Sequence, residues 1–167
     1  MTETVYLALG SNIGDRIKHL REGLSALKNS PNFKLETCSN IYETSPVGEV
    51  VQPRFLNAVC KGHWKGPPSQ LLLEVQKIEH VWGRQRQIHW GPRTLDIDLL
   101  LFGDRVINTE KLTVPHPFMT ERDFVLIPLC QIEPELKHPC SEQPFNLFLD
   151  SITNLTRPIC GPLLDCV

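Results

Sequence analysis

Long apolar runs, blocks of a single charge and paired-cysteine motifs are all missing from this chain. No hydrophobic stretch approaches the roughly 20 residues a membrane-spanning helix needs. The first residues, Met1-Thr-Glu-Thr-Val5, lack the basic and then apolar regions of a signal peptide, so a cytoplasmic location is expected. A formal net charge of −2, with no basic block, argues against general attraction to nucleic acid, which needs a broad cationic footprint. Six cysteines are present, yet no two are spaced C-x-x-C, which argues against a zinc site or a dithiol redox pair. Reduced, mostly buried thiols are expected instead. No repeat, low-complexity segment or linker is visible, and 167 residues suffice for one domain with a sizeable core. One domain over 1–167 is expected, its tail beyond about 140 carrying little pattern.

What is present reads as alternating elements. Thr4–Leu9 is a strand, and Ser11 or Asn12 can cap a helix whose apolar positions Ile17, Leu20, Leu24 and Leu27 recur at helical spacing. Phe33–Thr44, rich in β-formers and free of proline, reads as one long strand. Ser45–Arg54 is a loop by its prolines and glycine, and Phe55–Lys61 is a third strand. Pro67-Pro68-Ser69 opens a second helix with Leu71, Val75, Ile78 and Trp82 on its buried stripe, and Gly83 ends it. Arg84–Arg93 is a polar loop and Thr94–Phe102 the clearest strand. Beyond it come a Gly103-Asp104 turn, an extended stretch Val106–Val114, a helix over Glu121–Gln131, and a final helix around Phe145–Leu155. Strand, helix, strand, strand, helix, strand is the ferredoxin-like order: an α+β fold, an antiparallel sheet with helices packed on one face.

The strand Thr94-Leu-Asp-Ile-Asp-Leu-Leu-Leu-Phe102 carries chemistry. Alternation sends Leu95, Ile97, Leu99 and Leu101 to the core, and Asp96 and Asp98 to the open face, their Cα atoms about 6.5 to 7 Å apart. Adjacent carboxylates repel unless a cation compensates them. Oxygen ligands without Cys or His suit Mg²⁺, which keeps waters and binds substrate phosphates. A bare D-x-D is equally a solvated face with two unrelated acids. The run ahead of it alters that balance, because Arg84, Arg86 and Arg93, with His89 and Trp90, contain no acid among them. Cations leading into a carboxylate pair fit a metal–polyphosphate site. In the third strand Phe55 and Asn57 share a face, and an aromatic beside an amide can stack on a flat heterocycle and read its edge. Phe124 is a possible second stacking face, and His116, between Pro115 and Pro117, is either a phosphate contact or part of a turn.

The stretch Trp90-Gly-Pro-Arg-Thr-Leu-Asp-Ile-Asp-Leu-Leu-Leu-Phe-Gly103 resembles the signature of the 6-hydroxymethyl-7,8-dihydropterin pyrophosphokinases. The resemblance runs from Leu7-Ala-Leu-Gly-Ser-Asn-Ile-Gly-Asp-Arg16 through Tyr42-Glu-Thr-Ser-Pro-Val-Gly48, Phe55-Leu-Asn-Ala58, Gln76-Lys-Ile-Glu79, Gly83-Arg-Gln-Arg86 and Leu112-Thr-Val-Pro-His116 to Arg122-Asp-Phe-Val-Leu126. It implies a ferredoxin-like fold, two Mg²⁺ ions, ATP as co-substrate, a reduced hydroxymethyl pterin as acceptor, and release of AMP in folate biosynthesis. It implies that Asp96 and Asp98 hold the metal and that Phe55 and Phe124 sandwich the pterin. It implies that Asn57 bonds the pterin ring, with backbone contacts at Thr44 and Val47. It assigns Gln76, Glu79, Arg84, Arg86, Trp90, Arg93, Lys111, Thr113, His116 and Arg122 to the nucleotide and its phosphates, with Trp90 also close to the pterin. Arg84 and Arg93 stabilise developing charge in this reading, and a monomer is expected. Three residues depart from the family pattern: His89 where arginine is common beside the tryptophan, Phe118 where arginine often follows His-Pro, and Ser45. An RNA-binding sheet and a nucleotidyltransferase remain the alternatives. The first predicts a basic surface, and the second releases pyrophosphate in place of AMP.

Overall fold

The computed structural model describes residues 1–46, 51–82, 93–152 and 157–166. Strand β1 (Thr2–Ser11) runs up the middle of the sheet and is followed by helix α1 (Arg16–Asn29). Strands β2 (Phe33–Cys38), β3 (Asn40–Thr44) and β4 (Phe55–Lys65) precede helix α2 (Pro68–Val81). Strand β5 (Asp96–Phe102) leads to a two-stranded hairpin, β6 (Ile107–Asn108) and β7 (Thr113–Val114), and then helix α3 (Asp123–Ile132). A single turn, α4 (Asn146–Leu149), strand β8 (Arg157–Pro162) and a 3₁₀ turn over Leu163–Cys166 complete the order. The sheet runs β5-β1-β4-β3-β8 with β2 also on β4, every pairing antiparallel.

The amphipathic stripes explain one layer. Leu20, Leu24 and Leu27 of α1, with Leu71, Val75 and Ile78 of α2, meet Val5, Leu7, Leu9, Leu56 and Ala58 on one face of the sheet. Each fully buried leucine contributes about 1.5 to 3 kcal/mol of hydrophobic stabilisation. Gly23 is what lets α1 approach: a Cβ there would stand 2.9 Å from Leu95 Cδ2. The expected pair of helices on one face is therefore present. The opposite face is half-covered as well, because Tyr6, Val59, Leu100 and Leu101 pack against Met119, Val125, Leu126 and Leu129 from α3 and the segment before it, and Phe145. Gln131 Oε1 fastens α3 to the sheet by accepting from Tyr42 Oη (2.8 Å) and the Asn40 amide (2.9 Å). A partly covered face is a poor platform for an extended RNA strand.

Several expectations need correction. The 33–44 strand is two strands broken at Ser39, whose buried hydroxyl accepts from the Val59 amide at 2.9 Å while its own amide donates to Val59 O at 2.8 Å. Asp15, not Ser11 or Asn12, caps α1, accepting from the Lys18 amide at 3.1 Å. Leu101 leaves the face of Leu99: the register with β1 shifts between Tyr6 and Leu7, so Leu100 and Leu101 both pack under α3. The extended 106–114 stretch is the short β6–β7 hairpin, and the described part of the tail carries one helical turn that ends at Leu149 and an added edge strand. Cys38 and Cys60 are buried, facing each other across β2 and β4, Cys130 is half-buried and Cys140 exposed. The hydrogen bond from Cys38, together with burial, holds the Cys60 thiol well above its usual range. Gly83, like the Val47 position, lies outside the described residues.

Candidate active site

The cavity sits on the α3 face of the sheet, above three neighbouring strands. On central β1, Gly10 pairs with Asp96 of β5 on one side and with Asn57 of β4 on the other, and Ala8 pairs with Asp98 and Val59. The two small residues form the floor. A Cβ on Gly10 would lie 2.9 Å from Asn57 Oδ1, so any larger residue would push the amide from its place. The space, about 230 Å³, is lined by Ala8, Gly10, Thr44, Gln52, Phe55, Asn57, Arg93, Asp96, Asp98, His116, Phe118, Arg122 and Phe124, among others.

The acidic side is half-buried rather than openly solvated. Asp96 Oδ2 accepts from Arg93 Nη1 at 2.7 Å, with 14% of the Asp96 side chain exposed. Arg122 faces both acids. Burial lowers its pKa, Asp98 and Asp96 raise it, and its guanidinium stays charged. His116 reaches the cavity from the segment after β7, its amide donating to Leu100 O at 2.9 Å. Burial and then the Arg122 charge push its imidazole down to about 4, against a smaller upward pull from Asp96. It is therefore neutral near pH 7. Its Nδ1 accepts from the Phe118 amide at 3.3 Å, which leaves the proton on Nε2 as a donor.

The other side of the cavity is aromatic and neutral. Phe55 and Asn57 project from β4 as alternation requires, while Leu56 and Ala58 enter the core. Asn57 is nearly buried, and its Nδ2 donates to Thr44 Oγ1 at 2.7 Å, which fixes the amide orientation. Phe124 enters from the first turn of α3.

The sequence-derived residues thus divide. Thr44, Phe55, Asn57, Arg93, Asp96, Asp98, His116, Arg122 and Phe124 share the cavity. Gln76, Lys111 and Thr113 are exposed and lie outside its lining. Glu79 is on the opposite face: 2% exposed, it accepts the Ile97 amide at 2.8 Å and secures the edge of β5 between the two aspartates. Its placement fits a positioning role rather than a contact with nucleotide. Val47, Arg84, Arg86 and Trp90 fall outside the described residues.

Asn12 was missed as anything but a possible cap. It is 1% exposed and ties three segments together. Its Oδ1 accepts from the Arg93 amide at 2.7 Å, its own amide donates to Arg93 O at 3.0 Å, and its Nδ2 donates to Gln52 Oε1 at 3.0 Å and Pro53 O at 3.1 Å. A buried amide with so many partners has no signature in a single sequence beyond its place after a strand. Gln52 and Phe118 line the cavity and were likewise not assigned to a ligand.

Comparison with known proteins converges on one family. Residues 6–134 match the family model described as 7,8-dihydro-6-hydroxymethylpterin-pyrophosphokinase. The chain is 42% identical over 157 residues to the 2-amino-4-hydroxy-6-hydroxymethyldihydropteridine pyrophosphokinase of Aquifex aeolicus, covering 94% of this chain and 96% of that one. The enzyme of the same name from Bacillus subtilis is 47% identical over 132 residues, covering 79% of each. Among solved structures, HPPK-DHPS of Plasmodium falciparum superposes with a TM-score of 0.71 at 17% identity, covering 90% of this chain. This chain spans 45% of that longer one, and the likeness speaks for the fold.

Proposed function

The chain belongs to the 7,8-dihydro-6-hydroxymethylpterin-pyrophosphokinase family, and we propose that its cavity moves the terminal diphosphate of ATP onto the hydroxymethyl group of a reduced pterin. The observation that carries this reading is the union, in one cavity, of a carboxylate pair beside cations and an aromatic–amide pair. Polyphosphate chemistry needs the first and a flat, hydrogen-bonding heterocycle the second.

In this reading Phe55 and Phe124 stack on the pterin, Asn57 pairs with its polar edge, and Thr44 holds the Asn57 amide in the required orientation. Arg93, Arg122 and the Nε2 proton of neutral His116 meet the nucleotide phosphates. Gln76, Lys111 and Thr113 extend the nucleotide contacts beyond the cavity, and Arg84, Arg86 and Trp90 add to them. The backbone at Val47 adds to the pterin contacts. The substrate hydroxyl attacks the β-phosphorus and releases its proton to solvent, the bond from the β-phosphorus to the bridging oxygen breaks, and AMP departs with that oxygen from the far side. Catalysis is then mostly alignment and charge neutralisation, with arginines placed where charge accumulates.

Asp96 and Asp98 fit Mg²⁺: two half-buried carboxylates beside open space are too few for a protein-only cage but suit an ion that keeps waters and phosphate oxygens. Bound there, the metal would supply charge neutralisation between the phosphates and the attacking hydroxyl. In the form described, Arg93 and Arg122 partly neutralise the same acids. The chain is proposed to act as a cytoplasmic monomer in folate synthesis. No helix among the described residues is long and apolar enough to cross a membrane.

The test is product identity. Purified protein with Mg²⁺, ATP and 6-hydroxymethyl-7,8-dihydropterin should yield AMP and a pterin heavier by two phosphates on mass spectrometry. ADP, or an adenylated pterin with free pyrophosphate, contradicts the reading.

A further inference from the structure

Among the described residues, Phe118 is the one large apolar side chain of the cavity that stands markedly exposed, at 44%. A ring so placed gains little from core burial. Its surroundings are instead polar and charged. Its amide is held by His116 Nδ1 at 3.3 Å, and the two rings lie 6.2 Å apart at a 60° tilt. The Arg122 guanidinium carbon is 5.1 Å from the centroid of the Phe118 ring and 5.6 Å from that of Phe124. One cation is thus shared by two aromatic rings, within the separation at which the ring quadrupole attracts it. Asp98 and Asp96 attract the same guanidinium.

We propose that Phe118 is a positioning residue for the nucleotide end of the cavity: with Phe124 it fixes the Arg122 guanidinium on the cavity wall beside the aspartate pair, in place to meet phosphate. The inference rests on the pyrophosphokinase reading of the site. An aliphatic residue at 118 removes one of the two rings and leaves the Arg122 guanidinium less firmly placed. An aromatic replacement keeps the arrangement.

The experiment measures equilibrium binding of Mg²⁺ with α,β-methylene-ATP, and separately of 6-hydroxymethylpterin, to the full chain. Wild type is compared with Phe118→Leu, Phe118→Tyr, Arg122→Ala and the double variant Phe118→Leu/Arg122→Ala. Because residue 118 is so exposed, the fold should survive, which circular dichroism checks. Phe118→Leu should lose roughly three- to tenfold in nucleotide affinity, the scale of a cation–π contact that is partly desolvated. Phe118→Tyr should retain it, and pterin affinity should move less than about twofold in both. In the Arg122→Ala background Phe118→Leu should cost nothing further. Undiminished nucleotide binding in Phe118→Leu, an equal loss in Phe118→Tyr, or additive losses in the double variant overturn the inference. Equal loss of pterin and nucleotide makes Phe118 a wall of the pterin pocket and overturns it too. If wild type binds neither ligand, the reading of the site itself fails, and this inference with it.

Discussion

Replacing Asn12 by alanine should damage the site more than the fold. The side chain makes three contacts, accepting from the Arg93 amide and donating to Gln52 Oε1 and Pro53 O. At 1% exposure, water cannot easily take over these roles. Each intramolecular hydrogen bond is worth about 0.5 to 1.5 kcal/mol net, and each buried partner left unsatisfied costs about 1 to 3 kcal/mol. The Arg93 amide belongs to a half-buried residue while Pro53 is exposed and can turn to water, so the loss should total on the order of 1 to 3 kcal/mol. Against a typical stability of about 5 to 15 kcal/mol the variant should fold, with a visibly lower urea midpoint and an unchanged slope. Its consequence for function is larger, because Arg93 is the arginine salt-bridged to Asp96 and its backbone is moored by Asn12 on both sides. A side chain misplaced by about 1 Å can cost about a hundredfold in rate. Steady-state kinetics should therefore show kcat falling by at least tenfold. Asn12→Asp separates the contacts: it keeps an acceptor for the Arg93 amide but loses the donor to Pro53 O. It should retain more turnover than Asn12→Ala while still losing stability. If Asn12→Ala is stable but turns over like wild type, or if Asn12→Asp is the more inactive of the two, the claim that Asn12 moors Arg93 is wrong.

Other outcomes follow from the same geometry. Asp98→Asn and Asp96→Asn should each lower kcat by more than a hundredfold while leaving the far-ultraviolet spectrum unchanged; turnover near wild type would make the pair a solvated strand face after all. Phe124→Ala and Asn57→Ala should weaken pterin binding by about 1 to 3 kcal/mol each, with nucleotide affinity changed much less, as calorimetry can show. His116 adds a pH dependence to stability. Its pKa is depressed in the folded protein to about 4 from 6.5, so the unfolded chain binds more protons between those values. Its contribution is complete above about pH 6.5 and is lost as pH falls through 4, a change on the order of 3 kcal/mol. Tm of Mg²⁺-free protein should fall over that window, and less steeply in His116→Gln; identical slopes would assign the acid sensitivity elsewhere.

Much of this site could be read along the strands, because period-2 alternation is local. Asp96 and Asp98 on one face, and Phe55 with Asn57 on the next strand but one, follow from backbone geometry alone once the strands are recognised. Alternation fails where a partner strand intervenes. Leu101 changes face because of a register shift against β1, and Ser39 breaks its strand through bonds to Val59, neither of which a single segment can encode. Residues acting through backbone groups were also hidden. Glu79 and Asn12 hold Ile97 and Arg93 by their amides, so their partners have no complementary side chain to look for. The Arg122–Phe118–Phe124 arrangement depends on the segment between β7 and α3 folding back over the sheet. The tail, with its weak pattern, concealed an edge strand that pairs with β3.

The most direct test of the central claim follows one oxygen atom. ATP carrying ¹⁸O in the bridge between the α- and β-phosphorus is turned over with the reduced pterin, and the products are separated for mass spectrometry. Attack at the β-phosphorus, directed by Arg93, Arg122 and the Asp96–Asp98 pair, leaves the label entirely in AMP. Label recovered in pyrophosphate or in the pterin product contradicts the account.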